Sequence, residues 1–121
     1  MSSVKRLKKK ADQLWSKLIL LKGSCEVCGK RENLNAHHIV GRRNLRLRYD
    51  LKNGVCLCAG HHTLRMDSAH QDPIEFMFWL MNHRPDDYNY LVENKETLEF
   101  NADYEEIIRE LTQKLRELSS E

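Results

Sequence analysis

The sequence predicts an α+β domain in which helices at both ends flank a short hairpin. Apolar residues recur near the 3.6-residue period of a helix over residues 4–21 and again over residues 103–118. Between these segments, residues 34–40 and 55–58 are short runs that suit strands. Residues 25–30 carry two cysteines separated by two residues, a spacing typical of a turn that presents two thiolates to one metal ion. A chain of 121 residues is expected to form one domain with a modest core that a bound metal would stabilise.

The first helix is predicted over residues 4–21, and Gly23 is expected to end it because glycine adopts positive φ at little cost. The predicted apolar face of this helix consists of Val4, Leu7, Ala11, Leu14, Trp15, Leu18, Ile19 and Leu21. The outer face carries five cations, namely Lys5, Arg6, Lys8, Lys9 and Lys10. Two interpretations of this basic face remain open, a solvated surface or an arm that contacts phosphates, and binding to an anionic membrane is the weaker choice.

The segments around and after the strands are less regular. Residues 41–53 show little periodicity, which predicts a loop, and residues 61–69 are predicted to form a helix. Asp72 and Pro73 are the predicted N-cap and first residue of another helix. The body of that helix, residues 74–81, is apolar almost all round, so we expect it to lie in the core or beneath a neighbouring helix.

The C-terminal part is predicted to be helical. Arg84 and Pro85 should end the preceding helix, and residues 86–93 predict a short one. Asn101 and Asp103 are expected to open the last helix, with Glu106 as the capping-box partner three residues after the predicted N-cap Asp103. We expect the apolar stripe of this helix to pack on the first helix, because two to three heptads are short for a coiled-coil dimer; the stripe consists of Tyr104, Ile107, Ile108, Leu111, Leu115 and Leu118.

Charge is divided between the two halves of the chain. The formal net charge is only +2. Residues 1–65 nevertheless carry 15 Lys and Arg against 4 Asp and Glu, a net charge of +11, whereas residues 66–121 carry 5 against 14, a net charge of −9. A polyanion such as nucleic acid would be attracted to the basic half, and its binding should weaken with salt.

Apolar runs give no sign of a membrane or secreted protein. None approaches the roughly 18 residues of a membrane span, and residues 18–21 are too short for the core of a signal peptide. We therefore expect a cytoplasmic protein without membrane association. In a reducing compartment, cysteines beside histidines are typical of metal ligands rather than disulfides.

The cysteines predict a structural zinc site. Cys25 and Cys28 supply the first ligand pair. For the second pair, Cys58 and His61 repeat the two-residue gap and are favoured, because such a gap closes on one ion easily. Cys56 with Cys58 is the rival pair, since alternate strand residues share a face. If Cys56 is not a ligand, it should be a small buried hydrophobic residue.

The remaining histidines do not all predict the same role. His37 and His38 are neighbours on a predicted strand, so their side chains should point to opposite faces. A natural division has one as a metal ligand and the other as a base that faces substrate. His70 is a minor candidate for the same site, and His83 is expected to be structural or simply exposed.

Three of these residues carry a resemblance to a known family. His38, Asn53 and His62 occur in this order with 14 and 8 residues between them, and they are bracketed by the predicted zinc ligands. The pattern covers about residues 25–70 and resembles the HNH endonuclease family, which has a ββα-metal (His-Me finger) fold. Within that family, the compact size and flanking helices look most like the small HNH nucleases of bacteriophages.

The resemblance implies a role for each matched residue. His38 would be the general base that takes a proton from the attacking water. His37 and His62 would bind the catalytic metal. Asn53 would brace the loop between strand and helix and so hold the base in orientation. The zinc bracket would fasten the hairpin to the helix without touching substrate.

The chain departs from the family pattern at two positions. His37 stands where the family usually has Asp, which removes a negative charge and should favour Mn²⁺, Co²⁺ or Ni²⁺ over Mg²⁺. His61 stands where the fourth zinc ligand is usually Cys, although Cys₃His zinc sites are ordinary.

The loop between the strands carries four arginines in seven residues. Because these arginines lie next to a cluster that resembles a nuclease site, we expect them to contact the phosphates that flank the scissile bond. The simpler alternative is that they are solvated surface charges. The four residues are Arg42, Arg43, Arg46 and Arg48.

These observations and the resemblance predict a metal-dependent DNA endonuclease with weak sequence specificity. The expected cofactors are a structural Zn²⁺ and one catalytic divalent ion, and the expected state is a monomer or weak dimer. A single HNH domain would span residues 1–121, with a basic N-terminal helix (1–22), a zinc-stapled ββα-metal core (23–70) and a helical C-terminal extension (71–121).

Two other classes of function remain open. A non-catalytic, zinc-stapled nucleic-acid-binding module would keep the zinc ligands but would not need His38, Asn53 and His62 at this spacing. An accessory protein of phage packaging (terminase) or recombination would rest on the acidic C-terminal half as a contact for partner proteins.

Overall fold

The computed structural model describes residues 2–96 and 101–119. It combines helices with one two-stranded antiparallel sheet, which confirms the predicted α+β class. Positions 97–100 and 120–121 of the predicted C-terminal extension lie outside the described residues. The elements are α1 (Ser2–Leu20), β1 (Leu34–His38), α2 (Leu45–Arg48), β2 (Gly54–Cys58), α3 (Pro73–His83), α4 (Pro85–Asn94) and α5 (Tyr104–Ser119).

The two long helices pack against each other as predicted. The apolar face of α1 contributes Ala11, Trp15, Leu18 and Ile19 to a buried cluster, and Leu111 of α5 lies in the same cluster. Gly23 has a φ of +76° just beyond α1, and the N–H of Gly23 donates to the carbonyl of Leu20. Asp103 accepts a hydrogen bond from the backbone N–H of Glu106, so the predicted N-cap of α5 is confirmed.

The hairpin lies between α1 and α3. β1 and β2 pair so that Leu34 lies opposite Cys58 and His38 lies opposite Gly54. α1 passes so close to β2 that a Cβ added at Gly54 would lie 2.2 Å from Cδ1 of Ile19. Glycine is therefore required at this position if the helix is to cover the hairpin at this distance.

The predicted loop over residues 41–53 is more ordered than expected. It contains α2 and a 3₁₀ turn over Leu51–Asn53. The side chain of Asn44 caps α2 by accepting from the N–H of Leu47, and Asp50 caps the 3₁₀ turn by accepting from the N–H of Lys52. Both caps are residue types that favour turns, so this local signal was present in the sequence.

The predicted helix over residues 61–69 is wrong. A single turn of π-helix spans Gly60–Leu64, and Arg65 then adopts an extended conformation. The chain turns back, so the backbone N–H of Ala69 donates to the carbonyl of His61. This segment has no apolar stripe to bury, since Leu64 and Met66 are largely exposed, and a longer helix would gain little from packing.

α3 and α4 close the other side of the hairpin. Asp72 caps α3 by accepting from the N–H of Glu75, and Pro73 is the first helical residue, as predicted. Between α3 and α4, the guanidinium of Arg84 donates to the carbonyl of Gly54 at 2.8 Å and forms an ion pair with Asp87. Among the described residues, no helix has the length and apolar composition needed to cross a membrane.

Candidate functional site

Four side chains near the open end of the hairpin form a cluster that could hold one metal ion. The donor atoms of Cys25, Cys28, Cys58 and His61 all lie within 4.8 Å of one another; we call these residues the cysteine cluster. The sulfurs of Cys28 and Cys58 are 3.8 Å apart, and Nδ1 of His61 lies 3.3 Å from the sulfur of Cys58. Tetrahedral zinc with Zn–S near 2.3 Å places two sulfurs about 3.8 Å apart, so the donor set is compatible with zinc.

Backbone hydrogen bonds fix the turn that carries the first two cysteines. The N–H of Cys25 donates to the carbonyl of Lys30, and the N–H of Gly29, whose φ is +80°, donates to the carbonyl of Cys25. The N–H of Glu26 donates to the carbonyl of Cys56, and the N–H of Cys56 donates to the carboxylate of Glu26. The turn is thereby attached to β2, and its thiols are held beside Cys58.

Cys56 does not belong to the cysteine cluster. It is fully buried and packs with Trp15 and Ile19 of α1. Burial raises the pKa of the Cys56 thiol, which disfavours the thiolate that metal binding needs. The geometry therefore favours the Cys58 and His61 pair, as the spacing predicted.

A second group of donors lies near the loop end of the hairpin, where His37 pairs with Val55. One ring nitrogen from each of His37, His62 and His70 lies within 4.8 Å of the others; we call these residues the histidine cluster. The Nε2 atoms of His62 and His70 are 3.0 Å apart. Two imidazole nitrogens about 2.0–2.1 Å from one ion, with angles between 90° and 109°, would lie roughly 2.9–3.4 Å apart, so the spacing fits a shared metal.

The electrostatic environment keeps two of these imidazoles ready to bind a cation. Burial, followed by the neighbouring His62 and His70, lowers the pKa of His37 to about 3. Burial and His70 also lower the pKa of His62. A metal ligand must be the neutral imidazole, so both histidines are in the required state at neutral pH.

His38 points to the opposite face of β1 from His37, as predicted. Its ring stacks on Trp15 of α1, with centroids 3.8 Å apart and an interplanar angle of 8°, whereas the ring of His37 contacts His62 and His70. Nε2 of His38 lies 2.9 Å from the carbonyl oxygen of Arg48. A carbonyl only accepts, so Nε2 carries the proton and Nδ1 has a free lone pair. Burial lowers the pKa of His38, so this neutral tautomer is favoured at neutral pH.

Asn53 is fully buried and binds the loop that follows β1. Its Nδ2 donates to the carbonyls of Val40 and Leu47, each at 3.0 Å, and its Oδ1 accepts from the N–H of Val40. Leu47 directly precedes Arg48, whose carbonyl holds His38. The Asn53 side chain therefore fixes the backbone that orients the His38 ring.

The histidine cluster and His38 line the same cavity. This histidine cavity has a volume of about 440 Å³ and opens between α1 and the end of β1; its lining residues are Asp12, Trp15, Ser16, Ala36, His37, His38, Gly41, Arg42, His62 and His70. The histidine cluster and His38 thus face a common space, although His37 and His38 leave the strand in opposite directions.

The four loop arginines differ in their contacts. The Arg48 guanidinium binds Asp12 of α1 through two hydrogen bonds, of 3.0 and 2.7 Å, and its side chain is 16% exposed. Arg42 also reaches Asp12, at 3.4 Å, but is 60% exposed at the cavity edge. Arg43 and Arg46 are exposed. Arg42, Arg43 and Arg46 are therefore free to contact a phosphate. Arg48 could do so only if its ion pair with Asp12 were broken.

Sequence reasoning missed the contribution of α1 to this site. Asp12 and Trp15 were assigned to a helix with no functional role beyond its cations, yet both line the histidine cavity. His70 is only a minor candidate from the sequence, because a histidine at the C-terminus of a predicted helix can be explained by the helix dipole alone. His83 lies apart from the site, with Nδ1 bonded to the carbonyl of Trp79.

Comparison of the chain with protein-family models, with curated proteins and with solved structures finds no match.

Proposed function

We propose that the protein is a metal-dependent DNA endonuclease of the HNH type, with a ββα-metal core, which hydrolyses phosphodiester bonds to leave 5′-phosphate ends. The observation that carries the proposal is the histidine cavity itself. Three imidazoles spaced for one metal ion and a fourth imidazole with a free Nδ1 line the same space.

His38 would act as the general base. Its Nδ1 would take a proton from water as the water oxygen bonds to phosphorus and the bond to the 3′ oxygen breaks. The proton then leaves Nδ1 for solvent, and the 3′ oxygen gains a proton. A positioned base of this kind contributes roughly 10²–10⁴ in rate. Stacking on Trp15 and the hydrogen bond to Arg48 support this role, because they hold one ring orientation and one tautomer.

The histidine cluster would hold the catalytic cation. A divalent ion there would neutralise the scissile phosphate and stabilise the leaving oxygen. Three imidazoles favour Mn²⁺, Co²⁺ or Ni²⁺ over Mg²⁺, which prefers oxygen ligands. Three protein donors also leave coordination positions for water and substrate, which is typical of catalytic sites.

The cysteine cluster would hold a structural zinc ion. Three thiols and one imidazole form a closed four-donor set of the kind found in structural sites. Such an ion would join the turn over residues 25–30 to the end of β2 and to the π-helical turn. Because His62 follows His61 directly, this zinc would also fix the position of one ligand of the catalytic cation.

Conversion of supercoiled plasmid to nicked and linear forms tests the proposal. Zinc-loaded protein is assayed without added metal and with Mg²⁺, Mn²⁺, Co²⁺ or Ni²⁺, beside His38→Ala. We expect metal-dependent cleavage by the wild-type protein and a rate lower by about 10²–10⁴ in the variant. His83→Ala is the matched control, because His83 is a histidine outside the cavity.

Two outcomes would contradict the proposal. Wild-type rates in His38→Ala would reject this residue as the base. Absence of cleavage with every metal by a folded, zinc-loaded wild-type protein would reject the nuclease and favour a zinc-stapled binding module.

A further inference from the structure

We infer that duplex DNA lies along the exposed basic face of α1 as it enters the histidine cavity, with Lys9 and Lys17 contacting backbone phosphates. The inference rests on the proposed function and adds the surface that holds the substrate. From the sequence, the basic outer face that includes Lys9 is open between a solvated surface and a phosphate-binding arm, with an anionic membrane as the weaker choice; the structure adds Lys17 to this surface.

The first support is continuity of the surface. An open surface patch runs along α1 and consists of Lys9, Asp12, Gln13, Ser16, Lys17 and Leu20. Asp12 and Ser16 also line the histidine cavity. The patch and the cavity therefore share a border, and a strand whose phosphate lies in the cavity can continue along the helix.

The second support is unpaired positive charge. Lys9 and Lys17 are exposed, and neither forms an ion pair with any residue in the described ranges. They lie eight residues apart, which is about 12 Å along a helix, so they would reach different phosphates. The acid between them, Asp12, is bound to Arg48 and Arg42 and is thereby neutralised.

The third support concerns what the rest of α1 does. Its apolar face is buried against α5 and the hairpin, through Ala11, Trp15, Leu18 and Ile19. A helix that binds an anionic membrane needs such a face to insert into lipid, and here that face is already covered. The basic face remains exposed, and a phosphate backbone can bind it without apolar contact.

Salt dependence of DNA binding tests the inference. Binding of a labelled duplex is followed by fluorescence anisotropy over a range of KCl concentrations, with zinc-loaded protein carrying His38→Ala so that DNA stays intact. In that background, Lys9→Glu/Lys17→Glu should reduce the slope of log K against log [salt] by about 2, since each lost phosphate contact removes about 0.9. Affinity should fall on the order of tenfold or more at moderate salt.

Lys114→Glu/Arg116→Glu on α5 is the matched control. Both residues are exposed, and the change in net charge is the same. We expect its slope to stay at the background value. Equal losses of DNA affinity and salt slope in the two double variants would indicate a general charge effect and would overturn the inference. It would also be overturned if the Lys9→Glu/Lys17→Glu variant lost binding to single-stranded RNA or anionic vesicles but kept binding to duplex DNA.

The inference and the proposed function fail in different ways. If wild-type protein cleaves plasmid but the Lys9→Glu/Lys17→Glu change leaves the slope of log K against log [salt] unaltered, the proposed DNA-binding surface is wrong and the proposed nuclease activity is supported. If folded, zinc-loaded wild-type protein neither cleaves nor binds duplex DNA, both are wrong.

Discussion

Cys58 of the cysteine cluster lies at the open end of the hairpin, whereas His37 of the histidine cluster lies next to its loop end, and the two clusters also differ in donor type, number and burial. The cysteine cluster has four donors, of which Cys25 and Cys58 are buried. The histidine cluster has three donors, all imidazoles, and His70 is exposed beside a cavity. A closed set of four is typical of a structural metal, whereas three donors on a cavity leave room for a reacting ligand.

The difference shows how adjacent residues can serve separate sites. His61 belongs to the cysteine cluster and His62 to the histidine cluster, and both lie in the π-helical turn Gly60–Leu64. Consecutive residues of a helical turn do not face the same way, so one turn can present a ligand to each site. A metal in the first site would therefore restrain the second.

Loss of a cysteine ligand should have the largest effect. Cys25→Ser removes a donor from the closed set, and we expect loss of bound zinc and unfolding, because structural zinc contributes about 10–16 kcal/mol to the folding of zinc-finger peptides. Zinc content and circular dichroism measure this. Cys56→Ala is the control, since Cys56 lies outside the cluster and should keep one zinc per chain. A folded, zinc-replete Cys25→Ser protein would contradict the assignment.

Substitution of Asn53 should have the second-largest effect. Asn53→Ala removes three hydrogen bonds of a buried side chain and leaves the carbonyls of Val40 and Leu47 with fewer partners, so the free energy of unfolding should fall by roughly 2–4 kcal/mol. Urea denaturation of the zinc-loaded protein measures this. Asn82→Ala, an exposed asparagine with one hydrogen bond, should change stability by less than about 0.5 kcal/mol. Equal effects would mean that Asn53 does not brace the loop.

Loss of His70 should weaken the second site without affecting the fold. His70→Ala removes one of three imidazoles, and Ni²⁺ affinity should fall by at least the roughly 10- to 100-fold that loss of an outer-shell partner costs. Isothermal titration calorimetry with zinc-loaded protein measures this, with His83→Ala as the control. Unchanged affinity would leave a site of two histidines.

The choice of added metal ion should have the smallest effect, because it should change the cleavage rate without changing the metal content of the cysteine cluster. Cleavage should be faster with Mn²⁺, Co²⁺ or Ni²⁺ than with Mg²⁺, because imidazole suits these ions better. Addition of these ions should not displace the zinc proposed for the cysteine cluster, since thiolates bind zinc more strongly than the added ions. A plasmid assay with parallel zinc analysis checks both statements, and activity highest in Mg²⁺ would argue against an all-imidazole site.

Local patterns predicted much of the fold. The caps Asp72 and Asp103 and the apolar stripes of α1 and α5 depend on residues within a few positions of one another, so helical period and capping rules find them. The cysteine cluster was also predictable, because a two-residue gap closes on one ion whatever surrounds it. The prediction of a helix over residues 61–69 was wrong because this mostly polar segment has no apolar stripe from which a helix could be recognised.

The sequence by itself determined the donors, their order and the division of charge between the two halves. The tertiary structure alone decided that Asp12 and Trp15 of α1 and His70 meet His37 and His38 at one cavity. Chain spacing sets geometry only over a turn or two, whereas these contacts depend on how closely α1 crosses the hairpin. That distance depends on packing at Gly54, where α1 leaves no space for a side chain.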